Sequence, residues 1–163
     1  MATFDDAVAE VLKDEGGKLI PDDHGRGPSK WGVTLKTAQQ FFPHWRDSDI
    51  ANLTKEQATE FYRMGFWEYY HYDRIDNAEL ASKVFNEAVN LGGPTVNKIL
   101  QNCVGVTPDG TIGPGTLGAV NANDASEVLA CLKAGCEARH KWVAEHYPEL
   151  ASNLSGWLAR DMA

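Results

Sequence analysis

The sequence predicts a mostly α-helical fold with a small loop or hairpin after the first helix. Apolar residues recur at helical spacing through most of the chain, as Phe4, Val8, Val11 and Leu12 do in the first segment. Clusters of Gly, Pro and Asp separate the helical segments, and only residues 19–34 suggest a short hairpin. These observations place the chain in the mostly-α class.

Most of the predicted helices have recognisable ends. The pair Gly16-Gly17 ends the first helix, and Thr54 begins a later one with Gln57 three residues on, in the pattern of a capping box. Pro148 ends the longest helix. The predicted helices span residues 3–15, 34–42, 54–70, 78–91, 95–104, a short segment from Pro114 or Gly115, 126–147 and a short segment that contains Trp157.

Length and charge exclude several classes of function. The chain has 163 residues, which favours one compact domain, and 15 Lys and Arg against 23 Asp and Glu give a net charge of −8. An acidic chain lacks the basic surface that binds nucleic acid or an anionic membrane. We therefore expect no nucleic-acid partner and no stable membrane association, and nothing in the sequence requires more than a monomer.

The cysteine and histidine content predicts neither a disulfide framework nor a metal site. Cys103, Cys131 and Cys136 are an odd number and too few for such a framework, so we expect core or surface thiols. No Cys or His pairs have the spacing of a zinc site. The sequence thus predicts no metal and no cofactor.

Glu15 is the residue whose position suggests chemistry. On a helical wheel it falls inside the apolar stripe of the first helix, at the helix C-terminus. Burial and the negative end of the helix macrodipole both favour the neutral acid, so we expect its pKa to be raised. Such a group can act as a general acid near neutral pH. The alternative is that the helix frays and Glu15 points into water.

Two further carboxylates follow in a turn-rich loop. Asp22 and Asp23 precede a stretch rich in Gly and Pro. A carboxylic acid that faces a carboxylate across a short turn is the minimal set of groups for glycoside hydrolysis. The alternative is a solvated turn, in which Asp is common.

Ordered motifs run along nearly the whole chain. They are EGG at 15–17, PDD at 21–23, Ser29, GVT at 32–34, LTKEQA at 53–58, YR at 62–63, FW at 66–67, FNEAVNLG at 85–92, LQ at 100–101, DGTIGP at 109–114 and GWLAR at 156–160. Together they resemble glycoside hydrolase family 108, which comprises bacteriophage endolysins and related bacterial muramidases. The resemblance implies a lysozyme-like helical fold.

The resemblance also implies roles for individual residues. Glu15 corresponds to the essential acid, Asp23 to the carboxylate that positions the attacking water, and Ser29 to a hydroxyl residue that assists it. The loop after Asp23 is one residue longer than the usual family pattern, and Ser29 stands where the family has Thr. Asp22 therefore remains a competitor for the second carboxylate.

The predicted substrate-binding residues lie around this loop and in the middle of the chain. Aromatic rings with polar tips suit a wet cleft that stacks on sugar faces, which favours Trp31, Trp67, Tyr70 and Tyr72. Asp22 is added because it adjoins Asp23. Asn90 could bond an N-acetyl group, or it could cap its own helix end.

The resemblance implies an endolysin that hydrolyses the β-1,4 bond between N-acetylmuramic acid and N-acetylglucosamine, with inversion at the anomeric carbon. Its partner would be the peptidoglycan glycan strand. The alternatives are a lytic transglycosylase and a non-catalytic peptidoglycan-binding or secretion-accessory protein.

Residues 1–93 are expected to form the muramidase part and 94–163 a helical peptidoglycan-binding-like part of the same compact domain. The start of the chain lacks the basic and apolar regions of a signal peptide. We therefore expect synthesis in the bacterial cytoplasm and action on the wall after release by a holin or dedicated export.

Overall fold

A computed structural model describes residues 4–23 and 25–163 and confirms the mostly-α class. The expected helix start at Thr3 lies outside the described residues. The helices are α1 (Phe4–Glu15), α2 (Leu35–Ala38), α3 (Asp47–Ala51), α4 (Lys55–Tyr62), α5 (Ala78–Leu91), α6 (Gly93–Val104), α7 (Pro114–Ala122), α8 (Ala125–His146) and α9 (Leu154–Met162). A π-helix spans Arg63–Trp67, and 3-10 turns span Tyr72–Arg74 and Pro148–Asn153. Within these residues, none of the helices combines the length and apolar character that crossing a membrane requires.

Helix α5 is the centre of the core. The Asn77 side chain begins it by accepting a hydrogen bond from the Leu80 N–H group, and Gly92 ends it. One side of α5 packs against α1, and others pack against α6 and α8. Phe4 of α1 meets Phe85 of α5 at a ring-centroid distance of 6.0 Å. Because α5 contacts helices from both halves of the chain, the two halves share one core.

The predicted hairpin near residues 19–34 is confirmed. Strands β1 (Ser29–Lys30) and β2 (Val33–Thr34) pair in antiparallel register, with Ser29 opposite Thr34. Trp31 and Gly32 both have positive φ, of 55° and 77°, as a tight two-residue hairpin turn requires. The Tyr62 hydroxyl donates a 2.7 Å hydrogen bond to the Trp31 carbonyl and fixes this turn on α4.

Two predicted helices are shorter than expected. The segment 34–42 is helical only to Ala38, after which the Phe41 N–H group bonds the Ala38 carbonyl in a turn. Pro43 disfavours helical backbone at the residue before it, which contributes to this early end. The segment 54–70 becomes a π-helix after Tyr62, where the Glu68 N–H group bonds the Arg63 carbonyl. Helix α3 was not predicted, because its single turn has little apolar periodicity.

The cysteine prediction is wrong for two of the three residues. Cys103 of α6 and Cys131 of α8 form a disulfide, whereas Cys136 is a buried thiol. The error arises because the pairing depends on the packing of two helices that are distant in sequence. The disulfide therefore links α6 directly to α8.

Candidate active site

The local sequence around Glu15 fixes its carboxyl group at the end of α1. Gly16 adopts a left-handed conformation with φ 68°, and its N–H group donates to the Leu12 carbonyl at 2.9 Å, which ends the helix. Gly32 in the hairpin turn then packs directly on Glu15. A Cβ atom at position 32 would lie 2.7 Å from the Glu15 Cγ atom and would also clash with the Tyr62 hydroxyl. The glycine thus allows the hairpin to cover one side of the acid.

The surroundings of Glu15 raise the pKa of its carboxyl group. Burial is the largest cause, and the charge of Arg160 opposes it by favouring the ionised form. The Arg160 Nη1 atom lies 3.8 Å from Glu15 Oε1, and its Nε atom lies 3.9 Å from Asp14 Oδ2. Asp23 and Asp14 raise the pKa further, and Arg26 lowers it. The raised pKa agrees with the expectation from the helical wheel.

The Asp23 carboxylate lies in a closed turn. The Asp23 N–H group donates to the Gly27 carbonyl at 2.8 Å, and the Arg26 N–H group donates to the Asp23 carbonyl at 3.1 Å. The Arg26 Nη2 atom lies 3.8 Å from Asp23 Oδ1. Asp22 is exposed, and its carboxylate accepts a 3.3 Å hydrogen bond from the Gly27 N–H group. Asp22 therefore supports the turn from outside.

Glu15 and Asp23 line the same cavity of about 230 Å³. Its walls carry two carboxylates, two guanidinium groups, two amides and one indole ring. The lining residues are Glu15, Asp23, Arg26, Gly32, Thr34, Val89, Asn90, Leu150, Asn153, Trp157 and Arg160. This arrangement places an acid of raised pKa and a second carboxylate around one space, as glycoside hydrolysis requires.

Helix α9 contributes residues that were not predicted for the site. Arg160 lines the cavity and donates a hydrogen bond to the Asn90 side-chain oxygen, and Trp157 forms another part of the wall. Within the described residues, the Asn90 Nδ2 group is buried without a hydrogen-bond partner. The GWLAR motif at 156–160 contains both Trp157 and Arg160, but nothing in the motif indicates that they lie near Glu15. Because Arg160 is far from Glu15 along the chain, the sequence does not reveal the contact between them.

Several other predicted site residues lie elsewhere. Ser29 is buried in β1 and does not line this cavity, whereas its cross-strand partner Thr34 does. The Thr34 hydroxyl caps α2 by accepting a hydrogen bond from the Thr37 N–H group. Trp31 packs over Gly17 and lines a separate surface pocket with Lys55.

The prediction of a sugar-stacking wall needs one clear correction. Trp67 is only 7% exposed and packs in the core against Phe4 and Phe85, so it cannot stack on a sugar without leaving the core. Tyr70 is half-buried and stacks on Tyr72, which is completely buried, and neither ring lines the cavity that contains Glu15. The indole that does line this cavity is that of Trp157.

A buried cluster of ionisable groups lies between α5, α8 and α9. Glu87, His140 and Asp161 have potential metal-ligand atoms within 4.8 Å of one another. His140 Nδ1 lies 2.6 Å from Asp161 Oδ2, and Lys83 Nζ lies 3.1 Å from Glu87 Oε1. Burial, followed by the nearby Asp161, raises the pKa of Glu87. Because Lys83 already gives Glu87 a cationic partner, we describe this cluster as an ion network that joins the three helices.

Comparison with known proteins agrees with this architecture. The family model described as "Glycosyl hydrolase 108" matches residues 8–92, and that of a "Predicted Peptidoglycan domain" matches residues 95–162. The solved structure of SagA from Brucella abortus is 28% identical, with a TM-score of 0.81, over 98% of this chain and 93% of that chain. No protein with curated annotation is significantly similar in sequence. The comparisons and the observed helices support a lysozyme-like, mostly-α fold.

Proposed function

The chain belongs to the glycosyl hydrolase 108 family, and on this premise we propose that it is an N-acetylmuramidase. Its reaction is hydrolysis of the β-1,4 bond between N-acetylmuramic acid and N-acetylglucosamine in peptidoglycan. The observation that carries the proposal is the shared cavity of Glu15, whose pKa is raised, and Asp23. The match of residues 95–162 to a peptidoglycan domain supports the choice of substrate.

In the proposed mechanism Glu15 is the general acid. Its proton passes to the glycosidic oxygen as the bond from this oxygen to the muramic acid C1 atom breaks. Asp23 accepts a proton from a water molecule whose oxygen forms the new bond to C1. Attack from the face opposite the leaving group gives inversion. Ser29 is the hydroxyl residue that the family pattern assigns to this water, and the position of Thr34 in the cavity makes it the second candidate.

Asn90 is the substrate-binding residue best supported by its surroundings. The residue lines the cavity, its Nδ2 group is a buried donor without a partner among the described residues, and an unpaired buried donor is costly. A carbonyl oxygen of an N-acetyl group would satisfy it. Arg160, which bonds the oxygen of the same amide, orients Asn90 for this contact.

The wider biological setting is also part of the proposal. We assign residues 1–93 to the muramidase part and 94–163 to the peptidoglycan-binding part of one compact unit. The enzyme would act as a monomeric endolysin of a bacteriophage or a bacterial relative, reaching the wall after release from the cytoplasm. Neither a metal nor a cofactor enters the mechanism.

The substitution Glu15→Gln tests the assignment of the general acid. The amide keeps the shape of the side chain but has no proton of suitable acidity, so we expect the rate on purified sacculi to fall at least about a hundredfold. The measurement is the release of reducing ends, and the control Glu145→Gln makes the same chemical change at an exposed residue outside the cavity. A Glu15→Gln variant as fast as the wild type would exclude Glu15 as the acid. Mass spectrometry of the products separates hydrolysis from transglycosylase action, because a 1,6-anhydro product is lighter by one water.

Separate Asp22→Asn and Asp23→Asn variants decide which aspartate is the second carboxylate. Asp23 lines the cavity and Asp22 does not, so the larger loss is expected for Asp23→Asn. Equal losses, or a larger loss for Asp22→Asn, would contradict the assignment. The anomeric form of the first product, followed by NMR, tests inversion.

A further inference from the structure

A second cavity adjoins the one that contains Glu15. Its volume is about 540 Å³, and it lies against α8, the 3-10 turn Pro148–Asn153 and α9. It is lined by Arg26, Asn90, Leu91, Arg139, His140, Val143, Tyr147, Glu149, Leu150 and Trp157. The two cavities share Arg26, Asn90, Leu150 and Trp157, so they adjoin each other, and together we call them the groove. We call this second part the α8 cavity.

The α8 cavity combines an aromatic wall with guanidinium groups. Trp157 stacks on His140 at a ring-centroid distance of 5.0 Å, which fixes its indole, and Tyr147 is 49% exposed at the rim. Arg26 lies at the junction with the first cavity, and Arg139 lies on α8. Such walls suit a ligand that has both apolar parts and anionic groups.

Arg139 is held in place without an ion pair in the described part of the chain. Its guanidinium lies over the Trp142 ring, 4.2 Å from the ring centroid. This cation–π contact uses none of the N–H groups as hydrogen-bond donors, and a guanidinium can bind a carboxylate through two of them. Glu149 is the carboxylate of the cavity lining, against the two arginines, Arg26 and Arg139. Because Arg26 already lies 3.8 Å from the Asp23 carboxylate, Arg139 is the arginine of this lining without a carboxylate partner among the described residues, and it favours an anionic ligand.

We propose that the α8 cavity binds the stem peptide of the muramic acid unit, with Arg139 as the partner of a peptide carboxylate. The proposal rests on the proposed function, because a muramic acid unit in the first cavity carries its acidic peptide on the lactyl group. The shared residues Asn90 and Trp157 lie where the sugar and its peptide would meet. The domain match to residues 95–162 covers Arg139, Tyr147 and Trp157. The cavity thus gives the peptidoglycan-binding part a role beside the scissile bond.

The catalytic test compares two substrates. One is intact sacculi, and the other is the same material after an amidase has removed the stem peptides. One charged hydrogen-bonded contact corresponds to about tenfold in rate at low substrate, so the wild type should cleave the peptide-bearing strands about tenfold better. The ratio of the rate on intact sacculi to the rate on peptide-free sacculi should fall towards one in the Arg139→Gln variant. The control Arg74→Gln makes the same charge change at an exposed residue outside both cavities and should keep the wild-type ratio.

A binding test is independent of catalysis. NMR titration of the Glu15→Gln variant with N-acetylmuramyl-L-alanyl-D-glutamate and with N-acetylmuramic acid alone compares the two dissociation constants. We expect the peptide-bearing probe to bind about tenfold tighter. Adding Arg139→Gln should remove this difference.

The outcomes separate the two proposals. Equal affinities of the two probes, or a substrate ratio that Arg139→Gln leaves unchanged, would overturn the stem-peptide assignment. A cavity that instead accepts more of the glycan would give equal rates on both substrates, which also overturns it. Failure of the wild type to release reducing ends from either substrate would refute the proposed hydrolysis, while the titration would still decide the role of Arg139.

Discussion

The Glu15 carboxyl group is balanced between two opposing influences. Burial at the end of α1 favours its neutral form, and Arg160 at 3.8 Å favours the ionised form. The same arginine bonds Asn90 and lies near Asp14. Arg160 therefore sets how far the acid keeps its proton and also orders the groups around it.

Removing this arginine should change the pH dependence of the reaction. A general acid works in its protonated form, so activity is lost as pH rises through the pKa of Glu15. Arg160 lowers this pKa, so Arg160→Gln should raise it and move the alkaline limb of the kcat/KM profile to higher pH. The measurement is kcat/KM against pH on a soluble glycan, with Arg74→Gln as the control.

A purely structural role for Arg160 would give a different profile. The activity of Arg160→Gln would then fall by the same factor at every pH, and the alkaline limb would stay in place. A shift of that limb to lower pH would contradict the electrostatic argument. Partial recovery of the wild-type limb by Arg160→Lys would support it, because lysine restores the charge without the planar guanidinium.

The sequence predicts the site residues whose environment is local. Glu15 and Asp23 lie within one helix–turn segment, where wheel position makes Glu15 a candidate acid and the resemblance to family 108 selects Asp23 over Asp22. Arg160 and Trp157 enter the cavity through the packing of α9 against α8, which no local pattern contains. Trp67 shows the converse error, since an aromatic residue with a polar edge can belong to the core as readily as to a cleft.

At the level of elements, predictions succeed where both helix ends have their own signals. Helix α5 has the expected bounds because Asn77 caps its start and Gly92 stops its end. The segment 54–70 had a clear start at Thr54, but the π-helix after Tyr62 responds to packing around Gly65, against Phe41. Tertiary contacts therefore decide the ends that lack a cap or stop.

The disulfide between α6 and α8 should contribute measurably to stability. It closes a loop with a sequence separation of 28 residues, for which the chain-entropy argument gives about 3 to 4 kcal/mol. Cys131 is exposed and Cys103 half-buried, so a reductant has access to the bond. We expect dithiothreitol to lower the Tm and the free energy of unfolding of the wild type.

The matched variant for this experiment lacks both bonded cysteines. Cys103→Ser with Cys131→Ser should show the lower Tm already without reductant and should not respond to dithiothreitol. The buried thiol Cys136 is retained in both proteins, so its chemistry cancels in the comparison. A wild-type Tm that reductant leaves unchanged would contradict the prediction. Because disulfides persist in oxidising compartments, this bond also suits the proposed action at the wall.

At the scale of the whole molecule, the two parts of the chain form one working unit. Helix α5 packs against α8, and the buried pairs Lys83–Glu87 and His140–Asp161 lie between α5, α8 and α9. Leaving a buried polar group without its partner is costly, so the contact between His140 of α8 and Asp161 of α9 holds α9 in position, as does the hydrogen bond from Lys83 Nζ to the Arg160 carbonyl. The position of α9 in turn places Arg160 and Trp157 in the wall of the cavity that contains Glu15. The segment that matches the peptidoglycan domain model thus also helps to form the cavity that contains Glu15.

The overall charge determines how the enzyme should respond to salt. A chain of net charge −8 and an anionic wall polymer repel each other at long range, whereas Arg26, Arg139 and Arg160 act at short range inside the groove. Salt screens the long-range repulsion more strongly than partly buried contacts. From low to moderate ionic strength, the rate on sacculi should therefore rise or change by less than about twofold. The rate at which a suspension of sacculi loses turbidity, measured across a salt series, tests this expectation. A steep fall of this rate with salt, as expected of a basic enzyme, would show that long-range attraction and not the groove dominates binding.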